Sequence, residues 1–336
     1  AQNIKNAFSQ TTEAVKKIKA KTKFALTGTP IENSILELWS IFDFIMPGFL
    51  LPLNRFKKEY KINNIDDDTS IDRLNKLITP FILRRKKKDV LKDLPDKIEN
   101  NIIVELNDEQ KKLYLMQLEK TKEELDKLIK DGNVNKSSIL ILSLLTKLRQ
   151  ICIDPRLLFE NEIKSSKLDT LIEILNEVKK EHKILLFSQY PSALKLIIPT
   201  LDENNITYYY LDGSTKSNKR VELVNKFNKD DTNIFLISLK AGGTGLNLTS
   251  ADVVIHLDPW WNPQVENQAT DRSHRIGQKK VVEVIKLIAK GTIEEKIVEL
   301  QNKKQKLSDK IIEGDNRDSI NISKMDVENL KELIGI

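Results

Sequence analysis

The chain has 336 residues, 40% hydrophobic and 31% charged, enough for two domains with sizeable cores. Its longest apolar runs, such as 139–145, are too short for a helix that spans a bilayer, and its single cysteine, Cys152, excludes an internal disulfide. The net charge of +6 fits a nucleic-acid partner and, equally, a general enrichment in Lys, Ile and Asn, so local clusters such as Arg84–Lys88 are more informative than the total.

Residues 23–28 read as a short buried strand ending in a turn. A helix follows, with apolar residues at Ile35, Leu36, Leu38, Trp39, Phe42 and Ile45, stopped by Pro47-Gly48. The segment 49–79 reads as helical and polar, with an acidic patch at Asp66–Asp68. The run Arg84–Lys88 then follows the apolar Phe81-Ile-Leu83 and is either a solvated face or a DNA or interlobe contact. The pattern predicts a helix over 107–131, with Asn107 as N-cap, Gln110 three later as a capping-box variant and Gly132 past the end. A second apolar helix covers about 137–151, before Pro155. Cys152, beside Leu148, Ile151 and Ile153, reads as a buried structural thiol.

From 165 the pattern alternates. Strands are expected at 183–188, 206–211, 233–238, 252–257 and 281–288, and helices near 167–180, 190–203, 217–228 and 263–274. Such alternation predicts an α/β unit with a parallel sheet covered on both faces and active residues at the carboxyl ends of its strands. A helix over 292–309 and a polar tail with one weak helix at 326–334 close the chain. His182, His256 and His274 are scattered, without zinc-ligand spacing.

The segment Gln268–Gln278 is the richest in chemistry. Arg272 and Arg275 stand three apart at the start of what reads as a helix, a spacing that points both guanidinium groups one way. Paired arginines suit a triphosphate, whose transition state spreads negative charge over several oxygens. A lone Arg-x-x-Arg is more often surface decoration, so the neighbours matter. Upstream lie Ala241–Leu248 and Leu257–Pro263. In the former a strand runs into a glycine-rich loop, where glycines let amides approach an anion and adopt positive φ. A dinucleotide fingerprint fails at Leu248. Phe187-Ser-Gln-Tyr190, and Leu211-Asp-Gly-Ser-Thr215 with Lys219-Arg220, place small hydroxyls and amides at strand ends, suited to phosphate oxygens rather than bases. Trp260 and Trp261 could stack on bases, but packing that buttresses their loop is the favoured reading.

With Thr27–Asn33, these motifs resemble in order the third to sixth helicase motifs of the Swi/Snf-related, DNA-dependent ATPases of helicase superfamily two, over about residues 1–310. The sequence departs from the fullest pattern at Ser273, often Ala, and at Glu32, often Gln. The resemblance implies a RecA-like sheet with helical insertions plus the remnant of a first RecA-like lobe. It divides the chain into a lobe-one remnant (1–46), a helical protrusion (47–79), a linker (80–106), a second insertion (107–164), lobe two (165–290), a brace helix (291–312) and a tail (313–336).

It further implies that Arg272 and Arg275 are arginine fingers supported by Gln268, and that Gly243 and Gly245 face ATP. Ser188, Gln189, Gly213, Ser214, Thr215, Arg220 and Lys240 would contact DNA, and Thr27, Gly28 and Thr29 would couple the two events. The expected ligands are ATP, Mg²⁺ and the backbone of double-stranded DNA, with a DNA-bound protein to be remodelled, no membrane, and a bacterial cytoplasm beside the nucleoid as the setting. A strand-separating helicase and a non-catalytic DNA-binding module are the alternatives; the linker and insertions between the third and fourth motifs argue against the former. No Gly-Lys pair occurs in the chain, and Ala1-Gln2 resembles the end of a D-E-A-Q box without its acids. The expectation is therefore the back half of a motor, ATP and Mg²⁺ being held mainly by a lobe not included here, with no hydrolysis by this half alone.

Overall fold

The computed structural model describes residues 1–28, 30–31, 34–60, 68–83, 85, 87–130, 134–160, 163–179, 181–242 and 245–302. The described residues fall into two compact units, 1–85 with 300–302, and 86–299.

In the first unit Ser9 caps α1 (Gln10–Lys16) by accepting from the Thr12 amide, and Ser34 caps α2 (Ile35–Ile45) by accepting from Leu36. Helix α2 turns Leu38, Trp39 and Phe42 onto Phe56 of α3 (Leu53–Glu59) and onto Leu74 and Ile78 of α4 (Asp68–Ile78). It ends before Pro47-Gly48, where Gly48 adopts φ +83°. Residues 23–28 do not form the expected strand: Phe24 and Leu26 are 84% and 87% exposed. Among the described residues of this unit no neighbouring strand is present to pair with them, and an apolar alternation alone cannot satisfy a strand's backbone groups.

The second unit begins with the single turn α5 (Lys87–Val90) and continues with β1 (Lys97–Val104), α6 (Asp108–Lys130) and α7 (Val134–Ile153). There follow α8 (Ser166–Val178), β2 (Ile184–Ser188), α9 (Pro191–Glu203), β3 (Tyr208–Leu211), α10 (Ser217–Phe227) and β4 (Ile234–Ser238). The short α11 (Leu239–Gly242), β5 (Val253–His256), α12 (Pro263–Thr270), β6 (Val282–Ala289) and residues 293–299 of a helix α13 over 293–302 complete it. Among the described residues the strands form one six-stranded parallel sheet, in the order β1-β6-β5-β2-β4-β3.

Strands β2, β4 and β5 are buried throughout, as a parallel sheet covered on both faces requires. Side-chain alternation sorts the core into two clusters. Ile184, Leu186 and Ile255 face α8 and α9, while Leu185, Phe187 and Val254 face α10 and α12. The α/β class and parallel sheet are as expected, and five strands lie within two residues of their expected bounds.

The sixth, β1, falls in the segment that reads as linker. It pairs with β6 over eight residues, yet as an edge strand with the polar centre Glu99-Asn100-Asn101 it shows no apolar period. At α6 the cap is half the expected box: Asn107 accepts from the Gln110 amide at 2.9 Å. The Gln110 side chain instead donates to the carbonyls of Ile151 and Cys152 and accepts from the Ser166 amide, tying α6, α7 and α8 together. Gly132 lies outside the described residues, as does the tail beyond 302. Among the described residues no helix is long and apolar enough to cross a membrane.

Candidate functional site

Four loops leave the carboxyl ends of β2, β3, β4 and β5, the positions at which an open parallel sheet gathers its ligand contacts. The arginines lie beyond α12, which ends at Thr270 rather than at 274. They occupy turns over 271–277, so the i, i+3 helical argument does not place them. Their loop is set by other bonds. Leu248 N–H donates to the Arg272 carbonyl at 2.9 Å, and the Arg275 guanidinium donates to the Leu246 carbonyl at 3.1 Å. Gly277 adopts φ +101°, and the buried Gln278 amide donates to the carbonyls of Ala251 and Ser273.

Both arginines are half-buried. Burial and then the positive charge of Arg275 lower the pKa of Arg272, with Asp271 opposing. Asp271 pairs with Lys87, and Glu266 with Lys286 at 3.0 Å. Gln268 lies half-buried on α12, one turn before Arg272.

The glycine-rich loop begins with α11. A Cβ on Gly242 would lie 2.7 Å from Cε1 of the core residue Phe187, so packing, rather than an anion, requires glycine there. Gly245 adopts φ +40° in open space; Gly243 lies outside the described residues. Lys240 is exposed on α11.

At the end of β3, the Asp212 carboxylate accepts from the Ser214 amide and hydroxyl at 2.9 and 2.6 Å. The Ser214 bond, ahead of that from Tyr210, holds the Asp212 carboxyl below its usual range. Thr215 Oγ1 accepts from the Asp212 amide, and the Arg220 guanidinium donates to the carbonyls of Asp212, Gly213 and Thr215. Gly213 and Ser214 are thus exposed on a loop whose shape Arg220 maintains.

At the end of β2, Ser188 is buried and donates to Asp258 at 2.6 Å; Gln189, half-buried, gives its amide to the same carboxylate. The other oxygen of Asp258 receives Arg149 from α7 at 3.1 Å. The Arg149 guanidinium also donates to the Pro259 carbonyl and lies 5.0–5.4 Å from the rings of Tyr190, Trp260 and Trp261. The tryptophans therefore pack around a cation and buttress the loop. Sequence reasoning missed Arg149; the available signal was an arginine one residue after Leu148 and two before Ile151, in the apolar final turns of α7.

A second buried ion pair, Lys167–Glu294 at 2.6 Å, joins α8 to α13, and Lys167 donates further to the carbonyls of Leu257 and Leu287. Cys152 is buried, which raises its thiol pKa. His256 is buried, bonded to Thr270 and stacked on Phe187; burial, then the charge of Lys286, push its pKa down to about 3. It is neutral at physiological pH. Among the described residues, no group of three His, Cys, Asp or Glu side chains is placed to hold a metal ion. In the first unit, Thr27 is half-buried and Gly28 exposed, in irregular backbone, and Thr29 lies outside the described residues.

Two family models match, the SNF2-related domain over residues 1–157 and the helicase conserved C-terminal domain over 166–277. An ATP-dependent helicase of Mycoplasma pneumoniae is 45% identical over 94% of this chain, which spans 30% of its length. The mouse SWI/SNF-related, matrix-associated, actin-dependent regulator of chromatin subfamily A member 1 is 36% identical over 93% of the chain, which spans 31% of it. The chain thus spans less than a third of the length of these two relatives. Among solved structures, the Sulfolobus solfataricus SWI2/SNF2 ATPase core in complex with dsDNA is 38% identical, with a TM-score of 0.58, covering 99% of this chain and 70% of that one. The chain belongs to the SNF2-related family of ATP-dependent helicases, and its parallel sheet is a RecA-like lobe.

Proposed function

We propose that this chain supplies the arginine fingers and part of the phosphate grip of an ATP-dependent double-stranded-DNA translocase that remodels or strips DNA-bound protein. The observation that carries this reading is the bonding of the arginine loop to the glycine-rich loop, through Leu246–Arg275 and Leu248–Arg272. Burial and the neighbouring Arg275 charge disfavour the charged form of the partly buried Arg272 guanidinium, and a γ-phosphate placed there would relieve it. Bound ATP would bring the phosphoryl group whose transfer to water develops negative charge. Arg272 and Arg275 would stabilise that charge, an effect of roughly 10³–10⁵ in rate.

Among the described residues no group of three acids is placed to hold Mg²⁺, which would be held mainly by residues outside this chain. The sequence contains no Gly-Lys pair, and the phosphate cradle would come from elsewhere, leaving this chain without turnover of its own. The similar Sulfolobus core was solved on double-stranded DNA, which supports a duplex partner. Exposed Lys240, the Asp212–Lys216 loop and the Gln189 region would meet its backbone. Residues 1–46 would then close a first lobe, 47–79 and 107–164 would be insertions, 80–106 the linker and 165–290 the second lobe, with 291–312 as brace. The setting would be a bacterial cytoplasm beside the nucleoid; the Mycoplasma relative supports the bacterial part of this reading.

The test is Arg275→Ala in the full-length protein carrying this chain. It is expected to lower kcat about 10³-fold or more while ATP still binds, because a finger acts in the transition state. Retention of more than about a tenth of wild-type kcat would remove the finger role. A forked-duplex assay showing strand displacement would favour a strand-separating helicase over a translocase.

A further inference from the structure

Two like charges in one partly buried loop need an external hold. Lys87, the first residue of α5, donates through its ammonium to the Asp271 carboxylate and, at 2.8 Å, to the His274 carbonyl. These partners immediately precede Arg272 and Arg275 in the chain, so a single cation fixes the residue before each arginine. The His274 ring in turn shares a 2.8 Å hydrogen bond with the Pro95 carbonyl, so the segment 87–95 meets the loop at two points.

We propose that Lys87 is a positioning residue for the arginine pair, setting where Arg272 and Arg275 point; this rests on reading them as fingers. A lysine suits the task because its compact ammonium carries three rotatable donors and can serve a carboxylate and a carbonyl together. The Lys87 and Asp271 side chains are 38% and 43% exposed, and pairs this exposed contribute little to stability. Geometry responds differently, since a displacement of about 1 Å can cost on the order of a hundredfold in rate. The signature is a loss of rate without a loss of stability.

The experiment compares Lys87→Met, Asp271→Asn, their double variant and Lys87→Arg in the full-length protein, by DNA-stimulated ATP hydrolysis and thermal unfolding. Lys87→Met is expected to lower kcat about tenfold, with KM for ATP and the unfolding midpoint nearly unchanged. Asp271→Asn should do the same, and the double variant should be no worse than the poorer single one, because both remove one contact. Lys87→Arg, which keeps the charge and its donors, should stay within about threefold.

In the 336-residue chain, Lys87→Met should also speed amide hydrogen exchange over 271–278 without changing β2 or β4. Wild-type kcat in Lys87→Met, additive losses in the double variant, or unchanged exchange in the loop would each overturn the proposal. Arg275→Ala in the same assay separates the two readings: an inactive Arg275→Ala beside a fully active Lys87→Met sinks only the positioning role. An active Arg275→Ala sinks the finger role, and hydrogen exchange still decides whether Lys87 holds the loop.

Discussion

A guanidinium placed at 2% exposure loses most of its hydration, and only its surroundings can offset that. Arg149 has the Asp258 carboxylate, the Pro259 carbonyl and three aromatic faces, while its Nε has no hydrogen-bond partner. Replacement by methionine would leave Asp258 buried with the Ser188 hydroxyl and Gln189 amide as its remaining donors. Arg149→Met should therefore destabilise the second unit by roughly 3–5 kcal/mol, the range for breaking one side of a buried pair. Urea denaturation of the wild-type and variant chains measures this. A difference below about 1 kcal/mol would show that the pair contributes little to the stability of this unit.

Elements of the sheet bring their own titration behaviour. Strand β5 ends in His256, packed on Phe187 of β2 and bonded to Thr270 at the end of α12. Its pKa in the folded chain is about 3, against an ordinary value of 6.5. Between those pH values the unfolded chain holds a proton that the folded chain does not. Stability therefore rises with pH through this window and falls on acidification, by up to about 1.4 kcal/mol per pH unit from this group. His256→Gln removes that contribution, so any deficit of the variant at pH 7 should shrink as the pH approaches 4. Denaturation curves at several pH values check it; parallel pH dependences in the two chains would mean that His256 titrates normally.

For the whole molecule, the proposed duplex contact predicts binding that ignores sequence and weakens steeply with salt. The candidate groups are mostly backbone amides, small hydroxyls and the exposed Lys240, which cannot present a bidentate fork to a base edge, while the Arg220 fork is taken up by the carbonyls of its own loop. Two unrelated duplexes titrated against this chain should agree within about tenfold, with log K falling linearly in log salt. Lys240→Ala should reduce that slope by about one. The same samples supplied with ATP should show turnover no higher than a buffer blank. A strong preference for one duplex would point to base readout and against the proposed grip.

The sequence by itself determined the α/β class, five of the six strands to within two residues and the order of the motifs. Those are properties of local periodicity and of loops that must leave a parallel sheet at its carboxyl ends. The strand expected at 23–28 had the apolar pattern without a partner, and β1 had a partner without the pattern; pairing is a long-range fact in both. Only the tertiary structure decided what the charged residues do. It ended α12 at Thr270, so the arginines sit in turns bonded to the glycine-rich loop rather than side by side on a helix. It committed Ser188 to Asp258 and Arg220 to the carbonyls of its own loop. It also brought Arg149 to Asp258, 109 residues away, and Lys87 to Asp271, 184 away. Long side chains reach partners that the fold carries to them, and no periodicity along the chain encodes that meeting.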